Sequence, residues 1–161
     1  MVDNSVVYRF MSDRRVYQAV MNLKKRYKST TLHAVSENTI ALEIDVNDIV
    51  EEIKGGVKTA SDVYYKESNE GGYIIIEFTG SGSDKDISED PRVKAGLSRL
   101  KSMGYDVKLY TENGKGYVIL NADDLGKNIA KEIRFFKKKY AVKEGKLIIM
   151  LSKGGSQGGG Q

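Results

Sequence analysis

Apolar residues along this chain switch between two spacings, and the switches divide it into elements. At 5–10 they alternate, Val6, Tyr8 and Phe10 against Val7 and Arg9, which predicts a strand with Arg9 on its less buried face. Ser12 then offers a helix N-cap with Asp13 in the first turn. Val16, Val20, Leu23 and Tyr27 follow at helical spacing, with Arg14, Lys24, Lys25 and Lys28 largely off the stripe. Alternation returns at 30–35 and 39–45 around the turn Ser36-Glu37-Asn38. There Ile40, Leu42 and Ile44 against Ala41 and Glu43 mark a sheet with one buried face. Asp45 or Asn47 caps a short helix with Ile49, Val50 and Ile53 inward, and Gly55-Gly56 ends it. A strand at 62–67 leads through Ser68-Asn69-Glu70-Gly71-Gly72 into the apolar stretch Tyr73 to Phe78.

From that stretch the order repeats. A polar loop, Thr79 to Glu89, precedes a helix from Pro91 to Met103 with Val93, Leu97 and Leu100 inward. Strands near 105–111 and 116–121 flank Glu112-Asn113-Gly114-Lys115. Asp123 or Asp124 caps a long helix whose stripe is Ile129, Ile133, Phe136 and Tyr140, and a last strand runs near 146–152. Residues 153–161 are rich in Gly, Ser and Gln and are expected to be disordered. One register aligns Asp13, Arg15, Val16, Leu23, Lys24 and Leu32 with Asp90, Arg92, Val93, Leu100, Lys101 and Leu109. After a one-residue deletion, Asp48, Ile53 and Tyr64 meet Asp124, Ile129 and Tyr140. The shared order and these matches imply an internal duplication. The expected class is α+β: two tandem ferredoxin-like βαββαβ repeats, at 1–70 and 71–152, each an antiparallel sheet with helices on one face. Phasing the repeat as αββαββ is a circular permutation of the same sheet.

Composition narrows the function. The chain has 161 residues, 40% hydrophobic and 30% charged, as in a globular protein. No apolar run is long enough for a membrane span, and no secretory leader is expected, because Asp13, Arg14 and Arg15 follow too soon. The absence of Cys fits a reducing cytoplasm and leaves no thiolate nucleophile. His33 is the one histidine and has no Cys or Ser constellation to serve, so neither an enzyme nor a metal or cofactor is expected. Asp84, Asp86, Glu89 and Asp90 cluster beside Gly80-Ser81-Gly82-Ser83, without the spacing of a calcium loop or the Lys-Ser/Thr of a phosphate-binding loop. The net charge is +4, and the surplus lies in the second half; residues 1–80 are slightly acidic. A basic half favours a polyanionic partner.

In the second repeat, Ile74, Ile76, Phe78, Val118 and Leu120 are expected to face the helices. Tyr73, Ile75, Glu77, Tyr117, Ile119 and Asn121 then share the opposite face with Lys108 and Tyr110. Tyr73, Tyr110 and Tyr117 beside Lys108 and Lys115 supply flat platforms for unpaired bases and cations for phosphates. Lys115-Gly116-Tyr117-Val118-Ile119-Leu120 resembles the start of the third-strand motif of RNA-recognition-motif domains, which opens with Lys or Arg, Gly and an aromatic. Ile119 and Ala122 stand where that family has further aromatics, and Ile74 stands at its first-strand stacking position. The resemblance implies RNA binding on the sheet. The competing reading of these tyrosines is packing between the two repeats.

Lys127, Lys131, Arg134 and Lys138 lie along the expected long helix, continued by Lys137, Lys139 and Lys143. Lys131, Arg134 and Lys138 follow i, i+3, i+7 and would share one face able to track a phosphate backbone. Lys24-Lys25-Arg26 and Lys28 give a second patch. The expectation is a non-enzymatic, cytoplasmic nucleic-acid-binding protein for RNA or single-stranded DNA, using that helix and the tyrosine face. The alternatives are a protein-interaction or structural subunit with a protein partner or a second copy, and a small-ligand sensor using the Gly80–Glu89 loop, similar in plan to tandem ACT domains.

Overall fold

The computed structural model describes residues 4–80 and 86–153. The chain starts with a helix where alternation predicts a strand. α1 (Ser5–Met11) buries Val6 and Phe10, four apart, and leaves Tyr8 and Arg9 exposed. A strand would have put Val6, Tyr8 and Phe10 on one face. Ser12 ends α1 as its C-cap, so Asp13 and not Ser12 caps α2 (Arg14–Arg26), accepting the Arg15 amide at 2.9 Å. α2 buries Val16, Ala19, Val20 and Leu23, the stripe read from the sequence.

β1 (Thr31–Ser36) and β2 (Thr39–Asp45) form a hairpin, and Asp45 caps α3 (Val46–Gly56). β3 (Asp62–Ser68) and β4 (Gly71–Thr79) form a second, with Gly71 at a φ of 113° that favours glycine. α4 (Pro91–Ser102) is capped by Asp90 and starts on Pro91. β5 (Leu109–Glu112) and β6 (Lys115–Leu120) pair next, and Asn121 and Asp124 exchange capping-box bonds at the start of α5 (Ala122–Ile129).

α5 is only 8 residues long, and the expected helix through Tyr140 does not form. The chain turns after Ala130, passes Phe135 at φ 70°, and runs as β7 (Lys137–Lys143) into β8 (Lys146–Ser152). Ile129, Ile133, Phe136 and Tyr140 have helical spacing, but Tyr140 and Val142 also alternate with Lys139, Ala141 and Lys143. Glu144 and Gly145, at φ 53° and 76°, close a tight hairpin that pairs 137–143 with β8. The short apolar run satisfied both periods, and the turn decides between them.

All strand pairs are antiparallel, in the orders β1-β2-β8-β7 and β3-β4-β6-β5. The first sheet takes β1 and β2 from residues 1–70 and β7 and β8 from beyond, and the second takes only β3 from 1–70, so two ferredoxin-like repeats with self-contained sheets at 1–70 and 71–152 do not form. The turn between Ser68 and Gly71 holds β3 beside β4, which draws β3 into the sheet of β5 and β6. β8, not residues 5–10, then takes the place beside β2. The element order reads αββαββ twice, from α2 to β4 and from α4 to β8, with the later hairpins exchanged between sheets. The equivalent central pairs are Leu42–Ile149 and Ile76–Val118.

The inner faces of both sheets and the apolar sides of the helices share one core. At one close approach, a β-carbon on Gly126 of α5 would fall 2.0 Å from the Tyr140 ring of β7. The α+β class holds. Among the described residues, no helix is long and apolar enough to cross a membrane. Most of the Gly80–Ser83 loop, Asp84, and the tail from 154 lie outside the described residues.

Candidate functional site

Alternation along β4 and β6 divides the second sheet into two unlike faces. Inward, Ile74, Ile76, Phe78, Val118 and Leu120 are almost completely buried, as the sequence predicts. Outward, the register sets Tyr64 beside Ile75 and Ile75 beside Ile119; the next row runs Asp62, Glu77, Tyr117 and Tyr110. Lys66 lies opposite Tyr73 on the same face. Four tyrosines, from β3, β4, β5 and β6, therefore share one surface.

The first sheet borders this surface at Tyr73 and Ile119 and leaves the side of Tyr110 open. Tyr110 and Ile119 remain 49% and 42% exposed, Tyr64, Tyr73 and Tyr117 are half-buried, and Ile75 is buried among them. Tyr110 on the edge strand is therefore open to solvent, whereas Tyr73 and Ile119 border a groove against β7. The Lys108 ammonium sits 5.5 Å from the centre of the Tyr110 ring, a cation–π distance. Lys115 pairs with Glu77 at 3.5 Å. The Tyr64 hydroxyl has a raised pKa, from burial first and then from Glu77 and Tyr117 nearby. Tyr73, Lys108, Tyr110, Lys115 and Tyr117 are brought together as expected. Tyr64 and Lys66 join them although the sequence pattern puts residues 62–67 in the first repeat, because β3 pairs with β4. The short turn between Ser68 and Gly71 was the signal, since a tight turn keeps consecutive strands paired.

The basic helix face is not assembled. Lys127 is exposed on α5, Lys131 lies in the turn after it, Arg134 lies in the connection, and Lys138 belongs to β7. Lys138 points inward, where its Nζ donates to the carbonyl oxygens of Ile133 at 2.7 Å and Ala130 at 3.3 Å. Burial holds the Lys138 pKa below the usual lysine range. Lys138 therefore bonds the C-cap carbonyl of α5 and, more closely, a carbonyl of the connection that follows it. Its neighbours Lys137, Lys139 and Lys143 occupy the opposite, outward face of β7, opposite Ser152, Met150 and Lys146.

The remaining candidates have local partners. His33 Nδ1 and Lys146 Nζ lie 3.4 Å and 3.7 Å from the Glu43 carboxylate on the first sheet. Asp86 and Asp90 cap the short 3-10 turn and α4, and Glu89 pairs with Lys94 at 3.1 Å. Phe135 is 76% exposed, with the Arg15 guanidinium 4.7 Å above its ring. Comparison with known protein families, curated proteins and solved structures finds no match to this chain.

Proposed function

We propose that the outward face of the β3-β4-β6-β5 sheet binds single-stranded nucleic acid, RNA or DNA, and that the protein is a binding module without catalytic activity. The observation that supports this reading is the grouping of Tyr64, Tyr73, Tyr110 and Tyr117 on one partly exposed sheet face. Unpaired bases stack on such rings at about 1–3 kcal/mol each, whatever the sequence. Ile75 and Ile119 provide apolar floor between the rings, and Lys66 and Lys108 have no ion-pair partner among the described residues. Tyr117 also occupies the platform position in the segment that resembles an RNA-recognition motif.

A second reading has its own support. The Lys115–Glu77 pair places a satisfied ion pair among the tyrosines, an arrangement suited to a protein surface such as a second copy of this chain.

The test is fluorescence anisotropy with labelled single-stranded RNA and DNA and with a duplex control. Tyr110→Ala and Tyr73→Ala/Tyr117→Ala are compared with wild type, and circular dichroism checks folding. Wild type is expected to prefer single strands, and the double variant to lose at least about 30-fold in affinity, two stacking contacts at the low end of their range. Absence of binding at low salt, or unchanged affinity in folded variants, refutes the reading. A concentration-dependent dimer in light scattering that Tyr110→Ala dissociates supports the second one.

A further inference from the structure

Where the tyrosine face meets the first sheet, a groove of about 650 Å³ runs between β7 and the β3–β4 hairpin. Tyr73, Ile119 and Asn121 from the tyrosine face line one part of it, and Ala141 and Lys143 from β7 line another. Alternation puts Lys137, Lys139 and Lys143 on the outward face of β7, because Lys138, Tyr140 and Val142 point to the core side. None of the three outward lysines has an ion-pair partner among the described residues. Lys143 also faces Lys146 across the hairpin, a like-charge pairing that costs stability.

The tyrosine face lacks a surplus of cations. Its three cations, Lys66, Lys108 and Lys115, are equalled in number by Asp62, Glu77 and Glu112 on the same surface, although among the described residues only Lys115 and Glu77 pair directly. A polyanion stacked there needs positive charge from elsewhere, and β7 carries it just across the groove. We infer that a single strand held on the tyrosine face crosses this groove and lays its phosphates along Lys143, Lys139 and Lys137 of β7. This rests on the nucleic-acid reading of the tyrosine face and adds to it a second contact and a minimum length. Glu70 and Asp123 also line the groove, so the phosphates gather beyond it on β7.

Four strands span about 14 Å, room for about four stacked nucleotides at ~3.4 Å each. The lysine row on β7 adds about 20 Å. A four-nucleotide strand is therefore confined to the tyrosine face, and a twelve-nucleotide strand reaches the lysines.

The experiment is a salt titration of binding to labelled tetramer and dodecamer single strands. It compares full-length wild type, Lys139→Gln, Lys137→Gln/Lys139→Gln/Lys143→Gln and Tyr73→Ala/Tyr117→Ala. For the dodecamer, the log–log salt slope is expected to fall by about 2 in the triple variant and about 0.7 in the single one, at ~0.7 per phosphate contact on single strands. The tetramer slope is expected not to change. Lysines on an edge strand also repel pairing with other sheets, a role with no dependence on oligonucleotide length. Equal effects at both lengths, or none at the dodecamer, overturn the inference. If the tyrosine variant abolishes binding while the lysine variants change nothing, the β7 path is wrong and the tyrosine face stands. If wild type binds neither length, both fall.

Discussion

Lys138 separates the two accounts of the basic segment most sharply. Read at helical spacing, it is a surface cation for a phosphate, and removing it would weaken binding and leave folding alone. In the fold it bonds the end of α5 and the connection after it, with Nζ 2.7 Å from the Ile133 oxygen and 3.3 Å from that of Ala130. A hydrogen bond from a charged donor contributes about 1.5–3 kcal/mol, and a cation at a helix C-terminus about 0.3–1 kcal/mol. Burial offsets part of this, since it already pulls the Lys138 pKa down. A net loss of about 1–2 kcal/mol is expected for Lys138→Ala, or a melting shift of about 2–8 °C for a chain of this size. Lys138→Met keeps the apolar stem and removes only the donor, so it should remain destabilised. The adjacent Lys139→Ala, on the outward face, should stay within about 0.5 kcal/mol of wild type. Urea unfolding followed by circular dichroism measures all three. If Lys138→Ala melts with wild type while oligonucleotide binding collapses, the capping account is wrong and the residue is a ligand contact.

Three further substitutions probe the core. Gly126→Ala would drive a β-carbon to 2.0 Å from the Tyr140 ring and is expected to cost about 1–3 kcal/mol. Adding Tyr140→Leu should recover part of that loss in a double-mutant cycle, and simple additivity in urea melts would contradict the contact. The Tyr65 and Tyr105 hydroxyls are each pushed up to about 12, by burial first. The folded protein keeps protons that the unfolded chain releases near its ordinary value of 10.0. Their contribution is therefore present below pH 10 and is lost as pH rises toward 12. Tyr105→Phe should flatten this alkaline decline and cost little at pH 7, because among the described residues the buried Tyr105 hydroxyl has no hydrogen bond of good geometry, only the nearby Asn128 side chain. An unchanged slope between pH 10 and 12 would sink that assignment.

Local periodicity was enough for much of this protein. The stripe Val16, Val20, Leu23 is the buried side of α2, Asp90 and Pro91 start α4, and the inward and outward sets on β4 and β6 fall as alternation predicts. The aligned residues Asp13 and Asp90 even perform the same capping task. Tyr64 and Tyr140, also aligned, do not correspond: one lies on an outward face and the other packs against Gly126. What periodicity left open was decided by partners distant in sequence. Residues 5–10 carry both an alternating pattern and an i, i+4 pair, and they became a helix because β8 occupies the place beside β2. Residues 129–140 carry a helical spacing too, but the Glu144-Gly145 turn pairs 137–143 with β8 as a strand that completes the same sheet. Every strand edge must either find a hydrogen-bonding partner or face water. Which hairpin meets which is therefore settled by the core they enclose together, and that choice brought Tyr64 and Lys66 to the tyrosine face and dispersed the basic helix.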